Sequence, residues 1–443
     1  MAYSTIALVT FICVLIGDIV VRINSFIGIS NGSTELVVAV NIVSVVGLLI
    51  LGFKFRWKDR LPKNSLLVFK LFMAWSLISF IRGVLNAQDY WDWKILLLNY
   101  SFLILVPLAI VVGINYEINV KLFRFILGKL FLFGLLAIPF TIGDGHDSEF
   151  FPRVVMPVSF FILLSPYLQI KWRALIFAVA MLSISMDFGY RTNLLRIIFS
   201  MVLVAIYFRK YIRYFVNIKV LNFVTGVLFC LPLMFLYLGV NGQFNPFADN
   251  PFDYNVTSGK SKQLETENLA TDTRTFLYLE VFHSMVDRDS SFIIGEGGGS
   301  AYETTTFADS ALNERGRYGS EVGFLNTLLY SGMLGVLLYA LMLFAAAYYA
   351  INRSNNYLCK MLGLFLAFHW VLFFIEDITK LDMNFYFIWL AVGLCLSNKF
   401  RTLTDVEVKQ FFSLKSTQVI NNVQLAYRSS RLAGLSQKEK RTS

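Results

Sequence analysis

The sequence predicts an all-α polytopic membrane protein, and three observations carry that prediction. Apolar residues make up 56% of the chain and charged residues only 15%, where ordinary soluble domains carry about a quarter charged. Phenylalanine alone occurs 43 times in 443 residues. Runs of about 17 to 25 mostly apolar residues, the length that crosses a hydrocarbon core of roughly 30 Å, recur along the chain, and about twelve are discernible.

Taken in order, the expected spans centre near Leu15, Val45, Ala74, Leu105, Leu132, Phe161, Val179, Met201 and Leu228, then near Leu338, Phe368 and Trp389. The first group, about nine helices by the same length criterion, makes an N-terminal bundle over 1–240. A hydrophilic segment at 241–319 follows, then about three helices over 320–398 and a basic tail over 399–443. Asp18 and Arg22 stand where a signal peptide would carry its small-residue cleavage site, so the first span is expected to stay.

Basic residues set the expected orientation, because short cytoplasmic loops keep Lys and Arg. Lys54, Arg56, Lys58, Arg60 and Lys63 mark one such loop, Lys171 and Arg173 a second, and Arg209, Lys210, Arg213 and Lys219 a third. With alternating spans all three fall on one side, which places both termini in the cytoplasm. The tail has nine Lys/Arg against three Asp/Glu, so much of the net charge of +10 is expected against the anionic inner leaflet, not against a nucleic acid. The four cysteines, Cys13, Cys230, Cys359 and Cys395, lie in apolar segments at spacings that suit no metal site, and read as small buried hydrophobes.

The segment 241–319 is expected to be an outer loop with its own structure. "TDTRTFLYLEVFHSMV" begins with capping residues and repeats apolar groups at Phe276, Leu279, Phe282 and Met285, which predicts an amphipathic helix on the membrane surface. "SFIIGEGGGSAY" follows. Its glycines lack the Gly-Lys-Ser/Thr ending of a nucleotide loop, which leaves a plain turn or a turn whose N–H groups approach an anion.

Ionisable residues at membrane level tend to mark function. Arg191, in "SMDFGYRTNLLRIIF", sits at an outer helix end and reads either as a snorkelling arginine or as a substrate-binding one. Arg274 opens the loop helix, where Asp272 or Glu280 offers a local partner. Glu321 stands in the first turn after Ser320, an expected N-cap, and either compensates the helix dipole or does chemistry. Arg317, four residues earlier, is placed to pair with it. Glu376, Asp377 and Asp382 read as a short polar outer loop, and the aromatics of "NAQDYWDW" suit an interfacial belt as well as sugar stacking.

The ensemble resembles bacterial O-antigen ligases and Wzy-type O-antigen or exopolysaccharide polymerases. It does so in its spans with one large late periplasmic loop, in "GYRTNLL" at Arg191, and in Asp272, Arg274 and Tyr278 followed by Gly295, Gly297 and Gly299. The last match is "EVGFLNTLLYSGMLG", which closes on a Gly-x-x-Gly step. Glu321 and Val322 stand where ligases carry His-Asn, which favours a polymerase. The resemblance implies a GT-C-like glycosyltransferase fold in the bacterial inner membrane and an active site at the periplasmic face. It further implies undecaprenyl-pyrophosphate-linked oligosaccharides as donor and acceptor, and a chain-length regulator as partner. Pyrophosphate leaves without a protein acid once its charge is balanced, so the implied chemistry needs one base and cations, with neither metal nor nucleotide. Glu321 would be the base and Arg191 and Arg274 the phosphate-binding cations. Arg315, Arg317, His283 and Tyr278 are further candidate substrate contacts. The alternatives are a ligase, or a flippase or other transporter of the lipid-linked oligosaccharide; transporters place their charges nearer the membrane midplane.

Overall fold

The computed structural model describes residues 8–13, 15–16, 61–100, 102–130, 157–186, 191–208, 217–240, 255–258, 265–268, 275–288, 292–304, 316–379 and 382–412. Helices dominate them. The first four are α1 (Lys63–Asn86), α2 (Tyr90–Asn99), α3 (Phe102–Ile114) and α4 (Tyr116–Phe125), the last running on as a π-turn to Leu130. They are followed by α5 (Val158–Leu164), α6 (Ile170–Met186), α7 (Arg191–Phe208) and α8 (Ile218–Val240). The loop region contributes β1 (Asn255–Ser258), β2 (Glu265–Asn268), α9 (Thr275–Asp287), β3 (Ala301–Tyr302) and β4 (Arg317–Tyr318). Last come α10 (Gly323–Asn352), α11 (Tyr357–Leu372), α12 (Met383–Leu396), α13 (Asn398–Thr402) and α14 (Asp405–Phe412).

Among the described residues α1 and α10 are each long and apolar enough to cross a membrane. A third span results if the pair Leu105–Ile114 and Ile118–Lys129 is counted as one, although it bends by 109°. Asn119 sits in that bend and donates its side-chain amide to the carbonyls of Val112 and Gly113, and the Asn115 N–H also donates to Val112. The remaining apolar helices are shorter. The protein is therefore a mostly helical chain of membrane character. The expected centres at Val45 and Leu132 lie outside the described residues.

The core is built around α12, whose residues are buried along its whole length. It crosses α3 where glycine meets glycine: a Cβ on Gly113 would stand 2.4 Å from the Leu390 carbonyl oxygen, and one on Gly393 would stand 2.6 Å from that of Ile110. Small residues at such a crossing let two backbones approach, the usual means of helix association in lipid. α10 and α11 pack beside α12, and the rings of Phe72, Tyr339, Phe373 and Trp389 interlock among them. Cys359 and Cys395 belong to this core as expected, but Cys13 and Cys230 are exposed, on outward faces where an apolar thiol suits lipid; all four are free.

The two ends of the bundle differ in charge. At one end Tyr167 donates to Asp405, Asn222 pairs with Asn352, and Asn356 donates to the carbonyls of Phe400 and Leu403. Arg173, Lys219, Arg353, Lys399 and Arg401 collect there. The opposite end gathers the tail of α1, the start of α2, the loop elements and the α11–α12 connection, and is rich in carboxylates.

At that second end α10 is broken. Gly332 has φ 66° and ψ −175°, a conformation open essentially to glycine alone, so the helix stops and restarts there. The chain at 292–298 inserts into the break like an added strand. Met333 and Leu334 donate to the carbonyls of Phe292 and Ile293, at 2.8 and 3.1 Å; Glu296 and Gly297 donate back to Leu329 and Tyr330, at 2.7 and 3.1 Å. Gly298 reaches further, donating 3.0 Å to the Ser79 carbonyl of α1. Arg82 clamps the other edge, each Nη 2.6 Å from the carbonyl of Ile294 or Gly295. The anion-binding alternative for this turn therefore fails at Glu296, Gly297 and Gly298: their N–H groups complete a broken helix.

The loop also carries two short antiparallel pairs, β1 with β2 and β3 with β4. The expected face of α9 is corrected in part: Met285 is buried as expected, but Leu279 is 56% exposed, and Leu277 and Val281 are buried beside Met285. The helix is rotated because the start of α10 offers it an aromatic seat: Tyr278 stacks on Phe324, with centroids 6.1 Å apart, and donates 2.6 Å to the Phe374 carbonyl.

Candidate functional site

Glu321 lies just outside α10, one residue before its N-cap, Val322. Ser320, expected as the cap, instead donates its hydroxyl to the Val322 carbonyl and accepts from the Val322 N–H. The helix start is capped by the α11–α12 connection: Gly323 donates 3.2 Å to the Glu376 carbonyl and Phe324 donates 2.9 Å to that of Phe373. With those amides satisfied, dipole compensation explains less of Glu321 than its sequence position suggested.

The Glu321 side chain is 50% exposed, and its Oε1 lies 3.5 Å from Nη2 of Arg317, the pairing expected from the four-residue spacing. Arg317 also reaches the Tyr302 hydroxyl with Nη1, at 3.4 Å. Burial pushes the Tyr302 phenol above its ordinary value, and the adjacent guanidinium opposes that shift. The short β3–β4 pair holds Arg317 and Tyr302 side by side.

Glu321 and Arg317 line a cavity of about 340 Å³ that runs between α1, α2, α10 and α12, near the lower end of the range for small-ligand sites. Tyr318, Asn99, Asn326, Tyr330 and Trp389 line it as well, and so does Asp377. Asp377 is only 8% exposed. Its Oδ1 accepts from the Thr379 N–H at 3.0 Å and from the Thr379 hydroxyl, and its Oδ2 accepts from Asn326 Nδ2 at 3.0 Å. Asn326 in turn takes the Ser320 N–H at 2.6 Å, so one amide ties the approach to Glu321 to the carboxylate below it.

Directly behind this wall lies an ion pair that the sequence reading missed. Arg196 of α7, 2% exposed, has its Nη2 2.5 Å from Oε2 of Glu376. Nε and Nη1 of Arg196 have no hydrogen-bond partner among the described residues. A buried pair of this kind adds little net stability, yet losing one partner costs about 3–5 kcal/mol because a charge is left behind. Its structural effect is to pin the α11–α12 connection, and with it Asp377, against α7.

The other expected site residues divide as follows. Arg191 opens α7 at the carboxylate-rich end, on the helix that carries Arg196. Arg274 and Arg315 lie outside the described residues. His283 is exposed on α9, and neither it nor Tyr278 lines the cavity. Asp382 caps α12, accepting 2.8 Å from the Phe385 N–H. In "NAQDYWDW", Asp89 and Asp92 form a capping box for α2, and Asp92 also accepts 2.7 Å from the Tyr318 hydroxyl, which anchors the strand leading to Glu321. No family model, curated protein or solved structure matches this chain.

Proposed function

We propose that this chain is a polysaccharide polymerase of the membrane glycosyltransferase kind, joining undecaprenyl-pyrophosphate-linked repeat units of an O-antigen or exopolysaccharide at the periplasmic face of the bacterial inner membrane. One observation supports the reading most: a half-exposed carboxylate, Glu321, stands at a cavity walled by aromatic, amide and carboxylate groups, the composition that suits a sugar with hydroxyl edges and apolar faces. In the proposed reaction the acceptor hydroxyl oxygen attacks the anomeric carbon of the donor glycan. The bond from that carbon to the pyrophosphate oxygen breaks, its electron pair leaves with the lipid pyrophosphate, and the hydroxyl proton passes to Glu321. Arg191, at the head of α7, and Arg274, just before α9, neutralise the departing phosphate charge. A single displacement inverts the anomeric centre, and the scheme uses neither metal nor nucleotide.

The test is reconstitution. Purified full-length protein in nanodiscs, given a lipid-pyrophosphate repeat unit and a chelator, is expected to form a ladder of lengthened products. Absence of any ladder overturns the reading. Transfer of single glycans to a different final carrier would indicate a ligase. A transporter reading draws on another observation, the Arg196–Glu376 pair buried in the bundle. Movement of lipid-linked glycan across proteoliposomes without lengthening would favour it.

A further inference from the structure

The end of α1 carries a second cavity, which the proposed chemistry does not use. About 490 Å³ in volume, it lies between α1, the start of α2, the residue after α9 and the segment inserted into α10. Asp92 lines it and Tyr318 lines the cavity at Glu321, so the hydrogen bond between those two side chains belongs to a shared wall. The lining is small and polar. Gly83, Ala87, Gly295, Gly298, Gly299 and Ala301 leave main chain accessible, no ring takes part, and Ile294 is the one large apolar side chain. Such walls give an acyl chain or a stacked ring little to hold and suit a compact polar group. By count the charges of the lining balance, two guanidiniums against two carboxylates. Three of the four are engaged: Glu296 lies 3.6 Å from Arg288, and Asp92 accepts from the Tyr318 hydroxyl and the Gln88 N–H. Arg82 differs. Its Nη atoms reach the carbonyls of Ile294 and Gly295, and among the described residues no carboxylate pairs with it. Neutral carbonyls do not cancel a guanidinium charge, and the fork keeps further N–H groups to give. The N–H groups of Gly299 and Ser300 likewise donate to no described group.

A cation and uncommitted amides in one polar cavity suit an anion, and depth in the membrane says which. α1 is long and apolar enough to cross a membrane, and it presents Leu67, Leu71, Ile78, Ile81 and Leu85 outward as a stripe that ends at Leu85, 77% exposed. Just beyond, α2 opens with Tyr90, Trp91 and Lys94, whose Nζ lies 4.7 Å from the Trp91 ring centre. Side chains of those kinds gather at headgroup level. Arg82 stands where the apolar stripe gives way to them. We propose that this cavity holds the phosphodiester of a phospholipid headgroup from the leaflet at this end of the bundle, with Arg82 as its cation and Gly299 and Ser300 as amide donors. The acyl chains lie along the outward stripe of α1. This inference requires the membrane character of the chain and does not rest on the polymerase reading.

The experiment measures binding, so it does not depend on turnover. Full-length protein in a phosphate-free maltoside detergent is given a phospholipid with a photoreactive headgroup, and the labelled peptides are mapped by mass spectrometry. Label is expected to concentrate on 82–87 and 294–301. Phosphatidylglycerol should compete for it, and diacylglycerol with the same chains should not. Arg82→Gln is expected to lower the labelling there by about tenfold or more, as for a lost charge-assisted hydrogen bond. Because Arg82 also clamps the inserted segment, a second variant leaves that clamp in place. Ala87→Asp adds a repelling carboxylate to the lining and should lower the labelling in the same way, whereas Ala87→Asn should keep it. If Arg82→Gln does not fold, the Ala87 pair decides alone. Label spread evenly over both bundle ends, or labelling that survives Ala87→Asp, overturns the proposal. So does competition by inorganic phosphate as strong as by phosphatidylglycerol, which would make the site one for a free ion. Competition by polyprenyl pyrophosphate but not by phosphatidylglycerol overturns it too, by assigning the cavity to a lipid-linked substrate.

Discussion

At the scale of single residues the question is which charges do chemistry and which hold structure. Glu321→Gln keeps size and polarity but removes the base, and is expected to abolish chain lengthening while the protein stays folded in the membrane. If Glu321 served only the Arg317 pair, the loss would be about 0–1 kcal/mol of stability, as for other exposed pairs, and polymer would persist at wild-type length. The arginines separate by geometry. Lysine at 191 or 274 lacks the planar fork that grips two phosphate oxygens, so transfer from purified donor should fall by roughly a hundredfold or more. Lysine at 317, whose guanidinium pairs with Glu321, should retain most activity, and so should lysine at 315 if that arginine is a rim residue. Equal tolerance at all four positions would mean that these arginines form a basic rim and not a phosphate site. Arg196 shows why one residue escaped notice: five positions after Arg191 it reads as a second snorkelling arginine, and only a partner 180 positions away turns it into a buried ion pair. Asp377 escaped for the same reason, since the polar look of its loop gave no sign that Asn326 and the Arg196–Glu376 pair would hold it inside a cavity.

At the scale of elements, the glycine run "GEGGG" and the Gly332–Gly335 step are one structure, although about thirty residues separate them and neither reads alone as more than a turn or a packing motif. Apolar run content located the helices of the last third, since the expected centres Leu338, Phe368 and Trp389 fall within α10, α11 and α12. It could not find the break in α10, because a broken helix and a whole one share the same composition. The docking of 292–298 requires glycine on both sides. A Cβ on Gly83 would stand 2.3 Å from the Gly298 carbonyl oxygen, closer than real contacts allow, and alanine at Gly332 would be forced into a conformation that costs about 1–3 kcal/mol. Gly83→Ala and Gly332→Ala are therefore each expected to release the inserted segment. Amide hydrogen exchange should speed up at Glu296, Gly297, Met333 and Leu334 together, and chain lengthening should fall, because Tyr330 and Ser331 beside the break also line the cavity. Unchanged protection at those amides would mean that the segment is held by something other than its fit to the glycines.

At the scale of the whole molecule, the asymmetry of charge between the two bundle ends is what the sequence legibly anticipated. Arg173, Lys219, Arg353, Lys399 and Arg401 lie at one end, while Glu321, Glu376, Asp377 and Asp382 lie at the other. Short loops rich in Lys and Arg stay in the cytoplasm, so the carboxylate-rich end is expected to face the periplasm, where lipid-linked glycans would meet it. Reporter fusions give the check. Fusions after Lys58, after Arg213 and in the tail should report cytoplasm, and fusions near Asn255 and Asn313 should report periplasm. Lys58 and Arg213 test the N-terminal bundle independently of the tail, so a single inverted or missing span would show as disagreement between them. If Asn255 and Asn313 reported cytoplasm, the cavity at Glu321 would open to the compartment opposite the proposed substrates, and the polymerase assignment would fail with the orientation.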